Sequence, residues 1–128
     1  MAEVNAIILH ADGNAEIKYI EGSAETYHDL VGGWIQGIKP QVDHGFGDWF
    51  AYCNEEGKLE RLPRNVIADE ILTNLGWAGV LGGDFLVGTI VIVGALPSGD
   101  DTDVPDKTLQ YVLAFYREHG GIQTEEDA

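Results

Sequence analysis

Cysteine is all but missing: Cys53 is the single one in 128 residues. That excludes an internal disulfide and a cysteine-based zinc site. It also suits a reducing compartment, because small secreted domains usually need covalent staples. Basic residues are scarce, with 7 Lys and Arg against 22 Asp and Glu, a net charge of −15. Affinity for a polyanion rests on cations that neutralise phosphates, so direct nucleic-acid binding and docking on an anionic membrane surface are both disfavoured. Long apolar runs are lacking as well. The most hydrophobic window, Phe85 to Val93, is interrupted by Gly88 and Thr89, and it is far shorter than the roughly 20 residues of a membrane helix. Met1 to Asp12 carries no Lys or Arg and an apolar run only from Ala6 to Leu9, unlike a secretory leader. The expectation is a cytoplasmic protein with no membrane partner.

Apolar residues, at 45%, are plentiful enough to build one core. Val4 to Leu9 and Glu16 to Ile20 read as strands joined by a hairpin turn at Ala11-Asp12-Gly13-Asn14. Ser23 is placed to cap a helix whose apolar face is Tyr27, Leu30 and Val31, with Gly32-Gly33 ending it. Trp34 to Ile38 and Trp49 to Cys53 are strand-like around a polar loop at 39–48. Asn65 to Leu75 has helical spacing at Ile67, Ile71 and Leu75, with Asn65 as its cap. The near-continuous apolar run Phe85 to Val93 fits a central strand covered on both faces. Residues 95–106 form an acidic surface loop, and Pro105 suits the first position of a last helix with the stripe Leu109, Val112, Leu113 and Tyr116, ended by Gly120-Gly121. The order β-β-α-β-β-α-β-α predicts an α+β domain over residues 1–121, with a mixed, mostly antiparallel sheet of about five strands and two to three helices. Residues 122–128 are expected to be a flexible acidic tail.

Chemistry-bearing patterns are few. No HExxH pair, Walker loop or G-x-S-x-G elbow occurs. The loop Asp43-His44-Gly45-Phe46-Gly47-Asp48 offers three potential metal ligands on one short segment, which polar loops carry by default. Its two glycines lack the third of a dinucleotide fingerprint. A calcium loop starting at Asp101 would need Gly and Glu where Asp106 and Val112 stand. The aspartates there are better read as a solvated lead into a helix N-terminus. Cys53 shares a strand face with Trp49 and Ala51, and nearby Glu55 and Glu56 would raise its pKa, so it reads as a structural thiol. No metal or cofactor is expected.

The segment Lys58-Leu59-Glu60-Arg61-Leu62-Pro63-Arg64-Asn65 concentrates three of the seven basic residues. It could hold an anion or a partner's carboxylates. Alternatively it is a turn whose bases pair with Glu55, Glu56 and Glu60. Physically the turn would use Gly57 for a positive φ, Asn54 for a bond to its own backbone two residues on, and Leu59 and Leu62 as apolar anchors, with Pro63 fixing φ.

The run Asn54-Glu55-Glu56-Gly57-Lys58-Leu59 followed by Leu62-Pro63-x-Asn65 resembles the hallmark of a small family found in phages, plasmids and bacterial genomes, catalogued as domain of unknown function three-eight-four-six. Val31-Gly32-Gly33-Trp34-Ile35, Gly83-Asp84, Gly88-Thr89 and Val93-Gly94 extend the likeness over about residues 4–116. The loop at 39–48 and the acidic tail depart from it. The resemblance implies a phage or mobile-element setting, and so a host cytoplasm, but no reaction and no catalytic residue.

Three functions are compatible with this reading. The leading one is a non-enzymatic accessory protein that binds a host macromolecule or a small ligand, with Asn54, Glu55, Glu56, Lys58, Arg61, Arg64 and Asn65 as candidate binding residues. The second is an acidic decoy that mimics DNA toward a host nucleic-acid-binding protein, although eight of the 22 carboxylates fall after residue 99 and the rest are scattered. The third is a hydrolase or nucleotide-modifying enzyme. The oligomeric state is not legible.

Overall fold

The first hairpin sets the centre of the sheet. β1 (Glu3–Leu9) and β2 (Ala15–Glu21) pair antiparallel from Glu3↔Glu21 to Leu9↔Ala15. Their turn is tied by the Asn14 amide donating to the Asp12 carboxylate at 2.9 Å, with Gly13 at φ +95°. The structure, a computed structural model, describes residues 3–119 and 122–124. α1 (Ala24–Val31) starts as the sequence predicts: Ser23 Oγ accepts the Thr26 amide at 3.2 Å, and Gly32 closes the helix in the left-handed region at φ +82°. β3 (Ile35–Ile38) and β4 (Trp49–Asn54) form a second antiparallel pair. α2 (Val66–Asn74) follows, then a short 3₁₀ turn at Val80–Gly82, β5 (Ile90–Ala95), β6 (Asp101–Thr102), α3 (Asp106–His119) and β7 (Ile122–Thr124).

The sheet runs β3-β4-β5-β1-β2-β7, with β6 added to β5; every pairing is antiparallel except β2 with β7. This is the mixed, mostly antiparallel α+β architecture that the sequence predicts. Strand alternation distributes side chains to two cores. Val4, Ala6, Ile8, Val91 and Val93 meet Tyr27 and Val31 of α1 on one face. Ile7, Leu9, Trp49, Ala51, Ile90 and Ile92 meet α2 and α3 on the other. β5 is therefore buried on both sides, as its unbroken apolar run requires. The Trp49 indole donates to the Leu75 carbonyl at 2.8 Å, fixing β4 against the end of α2.

Several expectations need correction. The apolar run at 85–93 is strand only from Ile90, because Gly88 turns at φ +72° and donates its amide to the Pro63 carbonyl, while Val87 makes an isolated bridge with Arg64. The acidic loop contains β6, whose Asp101 carboxylate accepts from the hydroxyls of Tyr27 at 2.7 Å and Tyr52 at 2.8 Å, below a stacked pair of those rings. α3 begins at Asp106, and Pro105 sits just ahead of it as the residue whose carbonyl takes the Leu109 amide. The tail expected at 122–128 begins within β7, where Ile122 to Thr124 run parallel to Ala15 to Ile17. The helix stop expected at Gly120-Gly121 and residues 125–128 of the tail lie outside the described residues.

Candidate functional site

The family-like turn is built on two buried asparagines. Asn54 ends β4; its side-chain amide donates to Glu60 at 2.8 Å and its side-chain oxygen accepts the Glu56 amide at 2.9 Å, the local bond that the sequence predicts. Asn65, fully buried, accepts the Ala68 amide at 3.1 Å as the cap of α2 and donates to the carbonyls of Leu9 at 3.0 Å and Gly88 at 2.9 Å. One side chain thus ties together a helix start, the end of β1 and the approach to β5. Asn65 is architecture.

The turn departs from expectation in three ways. Gly57 does not have a positive φ; the left-handed residue is Arg61, at φ +57°. What requires glycine at 57 is proximity, since an added Cβ would lie 2.7 Å from Val87 Cγ2. Leu59 is no anchor, being 84% exposed, whereas Leu62 packs beside Gly57 and Gly88. The bases find partners outside the turn. Lys58 pairs with Asp84, and Arg64 reaches the nearly buried Asp69 at 3.4 Å, while both cations lie over the Phe85 ring, 4.5 and 4.8 Å from its centre. Asp69 in turn accepts the Leu86 amide at 2.7 Å. Arg61, Glu55 and Glu56 are exposed.

These contacts hold the segment 84–88 against the turn and leave a cleft of about 440 Å³ between it and the β3–β4 edge. Asn54, Glu55 and Lys58 line the cleft, and Arg61, Arg64, Glu56 and Asn65 do not. Sequence reasoning missed its other walls: Gln36 and Gly37 of β3, Trp77, and the Asp84-Phe85 pair. The signal was present only as Gly83-Asp84 within the family likeness. Cys53 lies on the floor, its thiol 4.0 Å from Gln36 Oε1. Burial, then the Asp84 charge, pushes its pKa up to about 11, so it is a neutral thiol at pH 7. Asp84 is held below the usual carboxylate range by its bond from Lys58. The cleft presents amide groups, the Lys58–Asp84 ion pair and the Phe85 ring.

Elsewhere several polar residues satisfy one another, while the buried Tyr116 hydroxyl has no hydrogen-bond partner among the described residues. His44 Nδ1 accepts the Phe46 amide at 3.0 Å, closing the 43–48 loop on itself. Asp103 accepts the Asn5 amide at 2.7 Å. Among the described residues, no group of three or more His, Cys, Asp or Glu side chains is arranged to hold a metal ion. No helix among them is long and apolar enough to cross a membrane.

Fold and site together define a small α+β protein with a polar cleft at one edge of its sheet. The chain belongs to the family described as Domain of unknown function (DUF3846), whose model matches residues 4–117. No curated protein and no solved structure matches it.

Proposed function

We propose that this protein is a non-enzymatic accessory protein of a phage or mobile element that binds a host component through the cleft beside β3. The observation that carries the reading is that the turn most typical of the family likeness supplies Asn54, Glu55 and Lys58 to the cleft wall. The Lys58–Asp84 pair and the Phe85 ring supply adjacent polar and aromatic contacts. Such a mixture gives orientation through hydrogen bonds and affinity through aromatic area.

Affinity capture from a bacterial lysate, comparing the parent with Gln36→Trp, tests this. Gln36 is exposed on the cleft wall, so an indole there fills the cleft without disturbing the core. A component captured by the parent and lost by the folded variant is the expected result. Equal capture by both overturns the cleft. Equal capture of a nucleic-acid-binding protein, abolished by salt, would favour the decoy function instead.

A further inference from the structure

We infer that β3 is a docking edge that takes an extended, basic segment of a partner protein by strand addition, with the cleft receiving one of its side chains. The inference rests on the proposed binding role and specifies its partner. β3 is the terminal strand on its side of the sheet. The Glu55 amide donates to the Trp34 carbonyl at 2.7 Å, which sets Gln36–Cys53 and Ile38–Ala51 as the hydrogen-bonded pairs of the β3–β4 ladder. The backbone groups of Ile35 and Gly37 consequently point away from β4. No described residue bonds to them from outside. An extended chain supplies the donors and acceptors that such an edge lacks, and its alternate side chains fall toward the cleft side of the sheet.

Three observations give the partner's chemistry. Net charge −15 steers a cationic segment toward the protein, and at the edge itself Glu55 and Asp84 offset Lys39 and Lys58 of the same lining. Trp34, at the head of β3, is 70% exposed, and an exposed indole takes a Lys or Arg over its face. Within the cleft, Trp77, Phe85 and Leu86 of the lining offer apolar contacts to a neighbouring side chain.

The probe is a displayed library of random linear peptides panned on the full chain, followed by titration of one synthetic winner. That winner is expected to be rich in Lys and Arg with apolar residues at alternate positions. N-methylation at alternate residues of its backbone should weaken binding about tenfold each, the effect of one lost hydrogen bond, with little effect at the intervening ones. Amide exchange at Ile35 and Gly37 should slow in the complex, and Gln36→Trp should weaken binding. A winner without the alternation, or one that leaves those two amides unprotected, overturns strand addition. If that winner still depends on Gln36, the cleft function stands and this inference alone fails. Recovery of no peptide also overturns it, leaving the lysate comparison to decide the cleft by itself. Concentration-dependent self-association that protects the same amides would make β3 a contact between copies and overturn the partner peptide.

Discussion

Asn65 shows how one side chain can outweigh the charged residues around it. Asn65→Ala removes a helix cap and strands two buried carbonyls, which should cost about 2–4 kcal/mol in denaturant unfolding. Asn65→Asp retains the cap acceptor but turns a carboxylate toward the carbonyls of Leu9 and Gly88, so it should also destabilise; a neutral result would show that those two bonds matter little. Lys58→Ala and Arg61→Ala, by contrast, should each change stability by about 0.5 kcal/mol or less, since exposed charges contribute little. Gly57→Ala tests the close approach to Val87: a loss of about 1–3 kcal/mol is expected from overpacking, partly recovered in the double variant with Val87→Ala. If the double variant recovers nothing, the clash is not with that side chain. The cap and the Asn54 bond were legible because both act within three residues of chain. The need for glycine at 57 was not, because Val87 approaches from thirty positions away.

At the scale of elements, the sequence showed the strands that carry a core and missed those that only extend one. β6 and β7 are too short for alternation to be read; β6 is held by a tight hairpin with β5, and β7 by pairing with the distant β2. The run at 85–93 looked uniform because apolar residues serve both a strand and a packed connection; only Gly88 hinted at the break. The cleft was illegible for the same reason, being formed where the 84–88 connection meets β3 and β4. Ile90→Ala and Ile92→Ala, both facing α2 and α3 from β5, should each cost about 2–5 kcal/mol. Two melts within about 0.5 kcal/mol of the parent would displace β5 from the core. Cys53 in β4 adds a pH dependence. Its pKa is raised from 9.0 to about 11, so the unfolded chain ionises first as pH rises. The contribution is intact below pH 9 and declines toward pH 11. Cys53→Ala should flatten the fall of the urea midpoint across that window; an unchanged slope would assign the fall to other groups.

Over the whole molecule the dominant fact is a charge imbalance that the fold does not neutralise. Asp69, Asp84, Asp101 and Asp103 are engaged in internal hydrogen bonds, yet only Lys18, Lys58 and Arg64 among the Lys and Arg residues form ion pairs among the described residues. Two opposed effects of salt follow. Screening weakens those pairs, but apart from the buried Asp69 their members are about a third or more exposed, and such pairs contribute little individually. Screening also weakens the mutual repulsion of an excess of fifteen negative charges, which the folded state confines to a smaller volume than the unfolded chain. The second effect should win, because the Debye length contracts from about 30 Å at 0.01 M to about 8 Å at physiological ionic strength, from the size of the domain to less than its radius. The melting temperature at pH 7 should therefore rise by on the order of a few degrees over that range of sodium chloride. Guanidinium-free calorimetry at matched pH makes the measurement. A melting temperature that falls with salt would mean that the ion pairs outweigh the repulsion and that the acidic surface is, in energetic terms, already compensated.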